Sequence, residues 1–232
     1  MIKRFNGEEK VADIVSVFPD ASNLFIQYHI DFCCGGNQTL LAALEKRKVE
    51  PEAFLKELNA AYAKVQKQQK SHSDWREASS TDVIHHIIQT HHAYLKQELP
   101  VLSAFLTKVM YRHGQEHPEL VQLHQWFHQL KAELEEHVMK EEQVVFPLIQ
   151  EYEQTSSASV REKAGQEIVQ LEAEHHKTGD LLKQMRQVTH DYQLPEDACR
   201  TYTLSYHKLK QLEADVFQHI HLENHILFPR FA

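Results

Sequence analysis

Apolar residues recur every three or four positions along most of this chain, the spacing that lays one apolar stripe along a helix. From residue 81 onward the stripes fall into four long stretches. The first carries Ile88, Leu95, Leu99, Leu102, Leu106 and Val109 and ends at His113-Gly114. Ser80 or Thr81 is placed to cap its start, and Pro100 inside it predicts a kink. The second opens near Pro118, carries Leu120, Leu123, Phe127, Leu130, Leu134, Val144 and Leu148, and stops near Pro147 or Ile149. After a turn at Ser156–Ser159, the third runs from about Val160 to His190 with Ile168, Leu171, Leu182 and Met185. The fourth opens at Pro195 and carries Leu209, Leu212, Val216 and Ile226 as far as Pro229. Short connections make neighbouring helices antiparallel, so the pattern predicts an up-down-up-down four-helix bundle.

Shorter stripes precede the bundle. Val11, Ile14, Val15 and Phe18 form one face, Leu24, Phe25 and Tyr28 another, and Thr39–Arg47 resumes helical patterning. Pro51 opens a helix with Phe54, Leu55, Leu58 and Tyr62. Between them lies Asp31-Phe-Cys33-Cys34-Gly35-Gly36, whose glycines end a helix or form a tight loop. Lys64–Ser80 is polar and lacks apolar spacing. The predicted fold is all-α: a small N-terminal helical domain over residues 1–65, a linker over 66–80 and the bundle over 81–232.

Composition narrows the function. A net charge of −8 argues against a nucleic-acid surface. No apolar run approaches the ~20 residues that cross a bilayer, and no apolar region follows the basic start as in a secretory signal. Three cysteines, two of them adjacent, make no disulfide framework. These features predict a cytoplasmic protein with neither nucleic acid nor membrane as partner.

The 18 histidines change the picture most. His92, His137, His175 and His219 each take a core position in one stripe, and Glu141 and Glu223 take two more. His137 to Pro147 and His219 to Pro229 share the pattern H-x-x-x-E-x-x-x-x-F-P, each residue 82 positions from its counterpart. Residues four apart share a helix face. One buried histidine is ordinarily a satisfied core residue. Six such positions in a repeated arrangement point to metal, because a buried carboxylate is costly unless paired or coordinated. Four imidazoles and two carboxylates suit a di-iron or di-manganese centre better than a closed structural zinc site. A ferritin-like centre needs two seam Glu-x-x-His motifs, and only Glu172–His175 fits. His91 and His176 are off the stripe, and His113, His117, His124, His128, His221 and His225 are expected to be exposed. Cys199 is read as structural.

On these motifs the whole chain resembles the iron–sulfur cluster repair proteins of the ScdA/YtfE type, with the Cys-Cys-Gly-Gly loop as hallmark of their short domain and a hemerythrin-like bundle behind it. The resemblance implies a non-haem di-iron centre with an oxo or hydroxo bridge. His92, His137, His175 and His219 would be terminal ligands, and Glu141 and Glu223 bridging carboxylates. It implies repair of clusters damaged by nitrosative or oxidative stress, by iron donation, with damaged iron–sulfur proteins as clients and nitric oxide or oxygen as small ligands. Cys33 and Cys34 are candidate redox or iron-transfer thiols, and Glu133 and Glu174 candidate partners of the ligands or an iron path. A nitric oxide or peroxide reductase, and an oxygen or nitric oxide sensor, stand as alternatives. A second copy of the chain remains an admissible partner.

Overall fold

A computed structural model of the chain describes residues 5–67 and 75–231. Its regular structure among these is helical, with one isolated antiparallel bridge between Lys10 and Thr39. Part of the predicted linker, residues 68–74, lies outside the described residues. By contacts the chain divides into two compact units: Ser80–Val216 with Phe231, and the N-terminal helices with Phe217–Arg230.

The regular structure of the larger unit is all helical. Its first stretch comprises α5 (Ser80–Ile87), a π-turn (Ile88–His92) and α6 (Ala93–His113), with Pro100 inside α6. The second comprises α7 (Glu119–Lys140), a π-turn (Glu141–Val145) and α8 (Phe146–Thr155), then α9 (Ala158–Val188) and α10 (Arg200–Leu222). Ser156 closes α8 in the left-handed conformation and Ser157 starts α9 from an extended one. The start of α5 is held by the Glu153 carboxylate, which accepts from the Ser80 and Thr81 amides at 2.7 and 3.1 Å. The start of α10 lies five residues past Pro195, after an irregular connection in which His190, Asp191 and Tyr192 all have positive φ.

The seam is Leu95, Leu99, Leu102, Leu106 and Val109 on α6, with Leu120, Leu123, Phe127, Leu130 and Leu134 on α7. Ile168, Leu171, Leu182 and Met185 on α9 and Leu209, Leu212 and Val216 on α10 are also buried. Two expectations fail, both beside π-turns. Val144 is 41 % exposed while Val145, Phe146 and Ile149 are buried, and Ile87 is buried where Ile88 was expected. A π-turn inserts one residue into the helical period, so the buried phase moves by one position. Proline supplies the reason in the second stretch. Pro147 donates no N–H and its ring crowds the carbonyl four residues back. The helix accommodates this by widening, and the Phe146 amide bonds the Glu141 carbonyl five residues earlier. Phe228 repeats that bond to Glu223, closing a third π-turn (Glu223–Leu227) before Pro229.

The smaller unit starts with α1 (Val11–Val17), α2 (Ala21–Gln27), α3 (Leu40–Arg47) and α4 (Pro51–Lys67). Its core is aromatic: Phe25 stacks on Phe54 at 5.9 Å, and Phe5 and Phe18 flank Tyr62. Asn59 pins the chain start by bonding both the amide and the carbonyl of Phe5. Asp31 folds the Cys-Cys-Gly-Gly segment into a tight loop, its Oδ1 accepting from the amides of Cys33, Cys34 and Gly35 at 2.9–3.2 Å. Gly36 is required by close approach, since a Cβ there would lie 2.5 Å from the Phe32 carbonyl oxygen. Phe217, on the last turns of α10, meets Phe32 edge-on.

Candidate metal centre

All six seam histidines and glutamates are buried, and Glu141 and Glu223 are 0 % exposed. They fall into two groups, His92, Glu141, His219 and Glu223, and His137, Glu141, His175 and Glu223. Within each group one ligand atom per residue lies within 4.8 Å of the others, and both glutamates belong to both groups. The two copies of the sequence motif therefore do not hold one ion each. Each contributes its glutamate to both positions and its histidine to one.

The ligand atoms are spaced closely enough to share an ion. His92 Nε2 faces Glu141 Oε2 at 3.3 Å, and His137 Nε2 faces Glu141 Oε1 at 3.1 Å. His175 Nε2 lies 3.1 Å from His137 Nε2, and His219 Nε2 lies 3.2 Å from Glu223 Oε1. Ligand atoms around one ion with bonds of about 2 Å are separated by roughly 3 Å.

Tautomer decides whether these are hydrogen bonds. His92 Nδ1 lies 2.8 Å from Glu142 Oε1, and His137 Nδ1 lies 2.7 Å from Glu174 Oε2. A carboxylate there takes the Nδ1 proton as its hydrogen-bond donor, which leaves Nε2 of the neutral ring as a lone pair aimed inward. The Nε2 lone pairs of His92 and His137 then face the Glu141 oxygens, an arrangement that a cation between them stabilises. Both outer carboxylates are held charged. Hydrogen bonding from His137, against some burial, keeps Glu174 below the usual carboxylate range. Burial raises Glu142, but hydrogen bonds from Lys96 and His92 outweigh it. The donor set fits a non-haem di-iron site.

Glu174 thus serves His137, not its chain neighbour His175. Glu133 accepts from Gln129 and lines an open cleft of ≈ 560 Å³ with His137, Lys140 and Glu174. Sequence reasoning missed Glu142; its one signal was an acid directly following a seam glutamate. Replacing Glu142 or Glu174 by alanine should weaken metal binding about 10–100-fold. Competition with a chelator would measure it, and unchanged affinity in both variants would remove their orienting role.

Other histidines depart from expectation. His91 is buried and its Nδ1 pairs with Asp215 at 2.9 Å, while His113 is buried at the end of α6. His221 is buried against Phe32, and its Nδ1 lies 3.2 Å from the Phe32 carbonyl. His225 reaches the Cys33 carbonyl. These two lie on the opposite face of the helix from His219 and Glu223, so a one-stripe reading exposes them; the Cys-Cys loop covers that face instead. Cys33 is buried, Cys34 is partly exposed, and their sulfurs are 3.9 Å apart. The hydrogen bond to Cys34, burial and the Asp31 carboxylate all hold the Cys33 thiol well above its ordinary pKa. Cys199 is exposed, because it lies in the connection before α10.

Comparison with known proteins agrees with this geometry. Residues 83–231 match the family model for the hemerythrin HHE cation binding domain. Residues 7–62 match ScdA_N, described as a domain of unknown function. The iron-sulfur cluster repair protein ScdA of Staphylococcus haemolyticus is 34% identical over 226 residues, 97% of this chain and 99% of that protein. The iron-sulfur cluster repair protein YtfE of Escherichia coli O157:H7 is 34% identical over 223 residues, 96% of each chain. The chain belongs to the ScdA/YtfE family of iron–sulfur cluster repair proteins. This family member joins a hemerythrin-like region to an N-terminal ScdA-type region. No helix among its described residues is long and apolar enough to cross a membrane.

Proposed function

We propose that this chain is a cytoplasmic di-iron protein that repairs iron–sulfur clusters damaged by nitrosative or oxidative stress, by donating iron. Damaged iron–sulfur proteins are its clients. The observation that carries the reading is the pair of buried His₂Glu₂ groups sharing Glu141 and Glu223, in a chain related end to end to named cluster-repair proteins. His92 and His219 would hold one iron, His137 and His175 the other, and the two glutamates would span both, with an oxo or hydroxo bridge completing the centre. The family matches on either side of residues 66–80 support two domains, a thiol-bearing one over 1–65 and an iron-holding one over 81–232.

Bound iron supplies Lewis-acid and one-electron chemistry. The chain sets what surrounds it: Glu142 and Glu174 fix the Nε2 lone pairs, and Phe146 stacks on the His92 ring at 5.7 Å and shields it from water. The cleft lined by His137 and Glu174 brings solvent close to one of the six buried residues, which suits a centre that gives up metal.

The test is metal content per chain with the visible spectrum of the same sample, followed by incubation with a nitric-oxide-damaged cluster protein. About two irons per chain, lost as the client regains its cluster, is the expected result. Rapid conversion of nitric oxide to nitrous oxide without iron loss would favour a reductase. Cys34, the more exposed thiol of the Cys33–Cys34 pair, is the candidate for receiving iron. Replacing Cys33 and Cys34 by alanine should leave iron content unchanged and lower protection from nitric oxide in cells. Full protection in that variant would rule the thiols out.

A further inference from the structure

The arrangement that orients the ligands of the metal centre recurs at a place the proposed function does not use. His117, in the turn between α6 and α7, has Nδ1 3.2 Å from Glu119 Oε1 and Nε2 3.0 Å from Asp197 Oδ1. Asp197 belongs to the connection ahead of α10, and its other oxygen, Oδ2, lies 3.8 Å from His113 Nδ1. One carboxylate on Nδ1 and another facing Nε2 is the pattern found at His92 and at His137. At about 1.5 Å per residue, His113 is roughly 30 Å along its helical stretch from His92, so the two places are separate.

We propose that His113, His117 and Asp197 form a mononuclear site for a divalent first-row ion, with zinc or ferrous iron as the fitting class and Glu119 orienting His117. Imidazole and carboxylate donors suit these ions, and three protein ligands plus water complete a tetrahedral shell. Asp197 is 57 % exposed at its side chain and His117 19 %, so the cluster opens to solvent where that water would bind. The His113 and His117 ring centroids are 6.4 Å apart. Two imidazoles on one ion with bonds of about 2 Å bring their centroids to roughly 5–6 Å. The ligand atoms of the three do not all lie within 4.8 Å of one another, so binding needs the rings to close in, and both His117 and Asp197 lie in connections rather than in helices. The Tyr202 ring packs against both histidines and forms the apolar floor. An ion there would tie the α6–α7 turn to the α9–α10 connection.

Burial lowers the His117 pKa slightly, but the Asp197 and Glu119 carboxylates outweigh it and raise it. Metal and proton compete for the His117 ring, so metal binding should weaken as pH falls.

Zinc titration of the full-length protein as purified, by calorimetry in two buffers of different ionisation heat, tests the site. The expected result is one zinc per chain in addition to any metal in the bundle core, bound with a rise in melting temperature. His117→Ala and Asp197→Ala, both near the surface, should each weaken that zinc at least tenfold while leaving the metal content of the core unchanged. No additional zinc, zinc that only displaces core metal, binding untouched by these two variants, or loss only in His124→Ala would each overturn the proposal. The readout does not depend on iron, so an iron-free core would refute the repair reading and leave this test standing.

Discussion

Replacing Glu141 and Glu223 together by leucine should strip the core of metal, taking iron from about two per chain to near none. Each glutamate belongs to both groups, so the change removes two ligands from each position and leaves two imidazoles, too few to hold an ion against a chelator. The second half of the prediction concerns stability and has the opposite sign. Without metal, two fully buried carboxylates remain in the core beside histidines. Exchange of buried charged groups for apolar ones of similar volume is often neutral or stabilising by about 1–4 kcal/mol. The metal-free double variant should therefore melt at or above the temperature of the metal-free parent, and below that of the metal-loaded parent. Metal analysis and calorimetry of the three samples check both halves. Retained iron, or a variant that melts well below the metal-free parent, would show that the glutamates are structural.

Arg186→Met is expected to cost about 3–5 kcal/mol, because it abandons a buried charge. Arg186, near the end of α9, grips Glu213 of α10 with two bonds, Nε to Oε1 at 2.9 Å and Nη2 to Oε2 at 2.7 Å. Glu213 is 1 % exposed, and burial holds its carboxyl above the usual range even with the guanidinium in place. The loss should appear as a lower denaturant midpoint and a melting temperature lower by roughly 10 °C. The double variant Arg186→Met, Glu213→Leu should recover most of it, since no charge is then stranded. A single variant within about 1 kcal/mol of the parent would show that Glu213 takes a proton and tolerates the loss.

The sequence by itself determined the helical class, the four long stretches and the seam. Packing of a helix follows from its apolar spacing, and that spacing was unambiguous from Leu95 to Val109 and from Leu120 to Leu134. It also marked the six buried histidines and glutamates, because a charged or polar residue in an apolar stripe is conspicuous at the level of period alone. Where the period broke, the reading broke with it. The π-turns at Glu141 and Glu223 add a residue to each helix, so Val145 and not Val144 faces inward. The Phe-Pro pair after each glutamate was the available signal.

Tertiary structure alone decided who meets whom. Glu142 and Glu174 reach histidines 50 and 37 residues away, and neither partnership has a spacing rule. His221 and His225 lie off the stripe, yet the Cys-Cys loop, folded by Asp31 nearly 200 residues earlier, covers them. Sharing of both glutamates by both groups likewise depends on side chains brought together from separate helices. A period reports which face of a helix is apolar; the partner of a polar atom depends on the helix placed against it, which no local pattern encodes.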